Sequence, residues 1–436
     1  MTDSPATIPV AAFEVEQYRM PNGLRVVLSP DRSVPVIGVA VVYDVGIRSE
    51  PERRTGFAHL FEHMMFQGSA NVGKTEHMKL VQGAGGMFNG STHIDYTDYY
   101  DVMPSNGLEL ALFLEADRMA GPAITEENLL NQVSVVKEEI RVNVQNRPYG
   151  GFPWITFPQV MFDTFPNAHD GYGSFADLDA ATTTDAQQFF DTFYPASNAV
   201  LSLVGDFDPA EATRLIDKHF SHIDYRPKPQ HPAFDEPDLT VERRSSYTDK
   251  RATLPAVAVG WRIPDPGIDL DAALPYIVLG DLLTDGDASR LKQRMVHTDR
   301  NVTAVGSYVG LMGEPFATRG PTPFLVRAFL PPDTSTDTIL ASLQEELGRI
   351  AEDGLSLGEL RRVQAKIATR ELRQDDSIPG RAQRLATTST FHGDASEANT
   401  FARRIARVTA EDIRAAAATF TENRRAVLEV IPGGRS

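Results

Sequence analysis

Residues 182–201 read TTTDAQQFFDTFYPASNAVL, and residues 409–428 read TAEDIRAAAATFTENRRAVL. Thr182, Asp185, Phe193 and Ala199-Val200-Leu201 precede Thr409, Asp412, Phe420 and Ala426-Val427-Leu428 by one constant offset. A helix, an aromatic and a closing strand that recur in one register point to an internal duplication. Outward from the first copy, β-branched strands are expected at 24–29 and 35–45 and a polar strand at 87–95. Helices are expected at 55–67, 75–83, 107–119 and 126–146. The strand and helix within 255–283 then match those within 37–66. Strands and helices mix without strict βαβ alternation. The expected class is therefore α+β, with two homologous domains, each a mainly antiparallel sheet flanked by helices. Pro227, Pro229, Pro232 and Pro237 mark a linker, which divides the chain into domains 1–225 and 241–436 joined by 226–240.

The chain has 436 residues, enough for two cores, with 42 Lys+Arg against 59 Asp+Glu and a formal charge of −17. That balance argues against nucleic acid or an anionic membrane as the main partner, since both call for a basic face. There is no cysteine, which removes disulfides, thiol nucleophiles and thiolate metal sites. Any metal must be held by His and carboxylates. The N-terminal residues lack a basic segment followed by an apolar core, and no stretch is long enough to span a bilayer; a cytoplasmic location is the expectation.

The segment GFAHLFEHMMFQGS (56–69) contains His59-Leu60-Phe61-Glu62-His63. Imidazoles at i and i+4 share one helical face at a spacing that can chelate one ion, and Glu62 is near enough to reach water on it. Phe57, Leu60, Phe61, Met64, Met65 and Phe66 make the helix apolar nearly all round. Unpaired polar groups there would be costly, and a cation removes the cost. A catalytic zinc takes three protein ligands and leaves one position open. In LLNQVSVVKEEIRVN (129–143), Leu129, Val133, Val136 and Ile140 form one stripe. Glu139 falls about 90° from its centre and Glu138 about 170°. Helical phase therefore selects Glu139, with Gln132 on the same side.

Other motifs carry less. Gly68-Ser-Ala-Asn-Val-Gly73-Lys74-Thr75 fits a phosphate-loop pattern, but it follows the His/Glu helix rather than a buried strand, so a connecting turn is expected. Gly83, Gly85, Gly86 and Gly90 read as turn residues, and His93 as strand surface. The row Arg361, Arg362, Arg370, Arg373 reads as a solvated face.

The inverted zinc motif, a Glu far downstream of its last His (Glu139 after His63), and the duplicated body resemble the pitrilysin/insulinase family. Within it the chain is most similar to the short bacterial members and to mitochondrial processing peptidase subunits. GGMFNGSTHIDYTDYY (85–100), NRPYG (146–150) and FYPASNAVLSLVGDFDP (193–209) extend the match over nearly the whole chain. The resemblance implies a duplicated metallohydrolase-like fold and a zinc endopeptidase. It implies that His59, His63 and Glu139 bind one Zn2+ and that Glu62 is the general base. It further implies that Phe88, Asn89 and Gly90 lend a strand edge to a peptide. Relatives often carry Glu where Gln132 stands, so one negative charge beside the metal is missing. A lyase acting on ribosylhomocysteine shares the inverted motif, but it is short and relies on cysteine. A non-catalytic binding subunit is the alternative, and the complete ligand set weighs against it.

Relatives also bring an Arg and a Tyr from a second half to the substrate, where donors placed in advance hold a developing oxyanion. Here Val296 and Thr303 stand at those positions, and Arg300 and Tyr308 are off the spacing. The resemblance thus implies a heterodimer with a homologous, zinc-less subunit that supplies the pair. The repeated helix near 272–283 has Tyr276 and Asp281 but no His, so the second half is expected to carry no metal.

Overall fold

The computed structural model describes residues 12–311 and 315–434. Two sheets organise them. The first runs β1 (Glu16–Arg19), β2 (Arg25–Pro30), β6 (Ala199–Gly205), β3 (Val36–Tyr43), β5 (Thr97–Pro104), β4 (Met87–Thr92). The second runs β7 (Arg243–Asp249), β11 (Arg425–Pro432), β8 (Ala256–Ile263), β10 (Thr322–Phe329), β9 (Ala304–Val309). Apart from β1, the two are the same sheet built twice. A parallel pair, β2 with β6 and β7 with β11, is followed by three antiparallel pairings in each. The class is α+β, as the mixed elements predict, and the duplication is visible at single residues. Thr182 and Thr409 both close capping boxes, with Asp185 and Asp412, on helices Thr183–Phe193 and Ala410–Ala418. Residues 224–240 form no helix or strand.

The inner face of the first sheet packs on α1 (Phe57–Met64), α2 (Glu76–Gly83), α3 (Leu108–Ala120) and α4 (Glu126–Ile140), through Val39, Val41, Leu201 and Leu203 among others. The second sheet packs likewise on helices Leu270–Thr284, Thr336–Asp353 and Leu357–Asp376.

The outer faces are covered by exchange. β3, VIGVAVVY, is apolar without alternation, the pattern of a strand buried on both sides. Its Ala40 and Val42, with Val27, Val200 and Val204, pack on Ala382, Leu385 and Ala386 of the helix Ile378–His392, which belongs to the second half. Gly38 makes the seat, since a Cβ there would stand 2.8 Å from Ile378 Cγ2. Arg381 pairs with Asp31 at 2.8 Å, and Arg25 donates to the Ser389 carbonyl at 2.6 Å. Reciprocally, Phe152, Phe157, Met161 and Phe162 of the first half cover Ala256, Ala258, Ala426, Leu428 and Val430 of the second sheet. Gly260 is the matching seat, as a Cβ there would stand 2.9 Å from the Phe157 ring. No helix of the described residues is long and apolar enough to cross a membrane.

Candidate metal centre

α1 begins at Gly56, whose φ of 84° and missing side chain give the helix no cap of its own. Its apolar residues Phe57, Leu60, Phe61 and Met64 sink into the first core, which turns His59, Glu62 and His63 toward the remaining, half-buried face. α4 is capped by Thr125, whose side chain accepts from Asn128 N. It crosses α1 with Leu129, Val133, Val136 and Ile140 buried and Glu138 exposed. Glu139 lies between these extremes and faces the histidines.

The three side chains converge. His59 Nε2 and His63 Nε2 are 3.3 Å apart, and Glu139 Oε2 lies 3.6 Å from the first and 3.4 Å from the second. Zinc bonds of about 2.0–2.2 Å directed to the corners of a tetrahedron put ligand atoms roughly 3.3–3.6 Å apart. The donor set, two imidazoles and a carboxylate, and its spacing therefore fit a zinc ion with one position open. Burial, with His63 beside it, holds His59 down to about 4, so its imidazole is neutral near pH 7, as a metal ligand must be. The His63 ring draws Glu139 below the ordinary carboxylate range.

Glu62 sits next to this triangle. Burial pushes its carboxyl up, against a hydrogen bond from Thr92 Oγ1 to Oε2 at 2.7 Å. β4 passes directly beside it. A Cβ on Gly90 would stand 3.3 Å from Glu62 Cγ and 3.1 Å from Phe66 and Tyr99. Among the described residues β4 pairs with β5 alone, so its other edge carries no strand. Asn89 is exposed, whereas the Phe88 ring packs down on Phe66 and His77.

Gln132 is buried, but its amide donates to Asn131 at 2.8 Å rather than to a histidine or to Glu139. Asn143 is the group beside Glu139 that, after the histidines, helps to draw its carboxyl down. It stands four residues on, in the π-turn Arg141–Gln145 that continues α4, and the i+4 spacing was the signal for it. Tyr172 sets its ring at 85° to His59 with centroids 5.4 Å apart, and no motif announced it.

Two decoys resolve on geometry. Across Gly68–Thr75, Asn71 N is taken by Asp117 at 3.0 Å and Gly73 N by Glu76 at 2.7 Å. Carboxylates thus occupy amides that a phosphate would need, and the segment is a turn. The second cluster of possible ligands, His77, Asp101 and Glu115, lies under β4 with the Arg118 guanidinium bonded to Glu115. Burial holds His77 near about 4 and pushes Asp101 to about 6 and Glu115 to about 7. The cation there is already Arg118.

The duplicate of the metal centre is filled differently. Ser356 caps its helix as Thr125 caps α4, and counting on equally from the two caps sets Arg370 at the place of Glu139. Arg370 pairs with Asp281 at 2.9 Å. Val296 packs half-buried against the second core and Thr303 is exposed. Arg300 is exposed at a φ of 52°, while the Tyr308 hydroxyl accepts from Arg327 at 2.9 Å and its ring meets Trp154. His93 stacks on Tyr96 and bonds Ser91.

Comparison with known proteins gives concordant matches. A family model described as insulinase (peptidase family M16) matches residues 25–164, and one described as the peptidase M16 inactive domain matches 180–367. Zinc protease PqqE of Helicobacter pylori is 30% identical over 293 residues, spanning 65% of this chain and 64% of that protein. An uncharacterized zinc protease of Mycobacterium tuberculosis is 26% identical over 432 residues, 99% of this chain and 96% of the other. Among solved structures, a protease from Helicobacter pylori superposes with a TM-score of 0.88 at 24% identity, covering 96% of this chain and 100% of that one. The periplasmic protease PqqL from Escherichia coli gives 0.77 at 17% identity, over 97% of this chain and 48% of that one. These structural likenesses are ones of fold.

Proposed function

Because the chain belongs to the pitrilysin/insulinase (M16) family, we propose that it is a zinc-dependent endopeptidase acting on peptides or unfolded polypeptide segments. The observation that carries this is the triangle of His59, His63 and Glu139, at zinc spacing, with a buried Glu62 alongside. When bound, zinc supplies Lewis acidity toward a carbonyl and lowers the pKa of a water to about 7. Glu62 acts as general base. Thr92 fixes its Oε2, and the raised pKa suits a group that takes a proton during attack and returns it to the leaving amine. The unpaired edge of β4 at Phe88, Asn89 and Gly90 takes the peptide as an added strand, and the bare Gly90 lets it run close to Glu62.

In this reading residues 1–225 form the catalytic domain and 241–436 a metal-free homologue, with one zinc per chain. The Arg370–Asp281 pair at the duplicate position supports that count. Gln132 contributes beside the metal by packing alone. A homologous zinc-less subunit supplies an Arg and a Tyr and closes the cavity, since Val296 and Thr303 cannot and Tyr308 is engaged by Arg327. Metal analysis should find one zinc per chain. The isolated chain should be nearly inactive toward a flexible peptide, gain activity with its partner, and lose it to a chelator. Undiminished turnover by Glu62→Gln would overturn the assignment.

A further inference from the structure

Resting on the reading that α1 carries the metal, we infer that residues 165–178 are a strap that positions this helix, with the Glu50–His169 contact as its catch. The strap falls in the gap between the two family-model matches, which end at 164 and resume at 180. It is nonetheless tied to the metal helix at three points.

α1 has only eight residues, and His59 is the third of them, so fraying of its first turn would displace a ligand directly. Gly56 offers no capping side chain, and Glu50 stands in from six residues upstream. Its two oxygens accept from Gly56 N and Ala58 N, each at 2.8 Å, and its charge suits a helix N-terminus. Glu50 is itself completely buried, and a buried carboxylate needs a further partner. His169 provides it, with Nε2 3.0 Å from Oε2. The ring's Nδ1 lies 2.8 Å from the Phe165 carbonyl, which can only accept, and its face stacks on Phe165 at 4.3 Å. The imidazole is thus fixed on both nitrogens and one face.

The second tie is backbone to backbone. A Cβ on Gly56 would stand 2.6 Å from the Tyr172 carbonyl, and one on Gly173 would stand 2.4 Å from the Thr55 carbonyl; both glycines have positive φ. The third is Asp177, which accepts from Thr55 N at 3.2 Å, while Ser174 N donates to Thr55 Oγ1 at 3.0 Å. Held this way, the strap delivers the Tyr172 ring against His59. His169 and Glu50 are positioning residues. They act on the metal through the helix.

The test uses the full chain with Co2+ as spectroscopic probe and Zn2+ affinity measured by chelator competition. His169→Ala should weaken zinc binding at least about tenfold and alter the visible bands of the cobalt form. His169→Gln, which can still offer an N–H to Glu50, should recover most of both. If His169→Ala does not fold, Glu50→Gln carries the test with the same expected direction. Wild-type affinity and bands in His169→Ala, or in Glu50→Gln where that variant carries the test, would overturn the strap alone. A wild-type chain that takes up no metal would overturn both the strap and the metal reading on which it rests.

Discussion

Thr92→Val isolates one bond at the proposed base. Valine keeps the shape of threonine, so packing against α1 is retained and only the hydroxyl is lost. That hydroxyl lies 2.7 Å from Glu62 Oε2 and 3.4 Å from the Ala58 carbonyl, so the carboxylate is its principal acceptor. A hydrogen bond to a charged group contributes about 1.5–3 kcal/mol. At about 1.36 kcal/mol per pKa unit this corresponds to about one to two units. The sign follows from which form is bonded: the hydroxyl donates to the ionised carboxylate, so its loss raises a pKa that burial has already lifted. The base is then protonated, and idle, up to a higher pH. The assay is kcat/KM for a quenched-fluorescent peptide over roughly pH 5 to 9, with zinc-loaded chain and partner. The acid limb should move up by about one to two units, with the plateau at high pH little changed. An acid limb that stays in place while the whole profile falls would refute the reasoning, because Thr92 would then be acting on something other than the protonation of Glu62.

Glu62→Gln should retain zinc and lose roughly 10²–10⁴ in kcat, read by metal analysis alongside turnover. His63→Ala should lose stoichiometric zinc on dialysis, since only His59 and Glu139 would remain. Leu385→Ala, at a fully buried site on the exchanged helix, should cost about 2–5 kcal/mol in a denaturant titration. Asp31 is held down to about 2 by hydrogen bonds from Ser33 and by Arg381, so its contribution is present above the ordinary Asp range and fades as pH falls toward about 2; Asp31→Asn should flatten that part of the acid-unfolding curve.

The convergence of His59, His63 and Glu139 was legible because helical phase is local. Two histidines four apart and a glutamate at the edge of an apolar stripe are fixed by about 100° per residue, and α1 and α4 cross where their stripes dictate. The two-sheet plan was legible for a similar reason, from β-branched runs and the repeated Thr…Asp…Phe register. Glu50 was not. In the charged stretch Ser49-Glu50-Pro51-Glu52-Arg53-Arg54 it looks like any solvated acid, yet it is buried against the start of α1 with His169, from a distant part of the chain, as its partner. Tyr172 likewise sits in a segment with no period. The unbroken apolar run of β3 announced burial on both faces, but no pattern in it names the covering helix. Gln132 shows the opposite error: helical phase put it on the correct side, and its amide turned to Asn131 instead.

The exchange of outer covers sets a schedule for synthesis. The first sheet has all its strands once Gly205 is made, yet the helix that dries its second face ends only at His392, late in the second half. At roughly 5–20 residues per second that is a wait of about 10 to 40 seconds with Ala40, Val42, Val200 and Val204 open to solvent or to another nascent chain. Neither half can be cut away without baring a sheet face of the other. A gene split at the linker should therefore give two fragments that are insoluble apart and soluble only when made together.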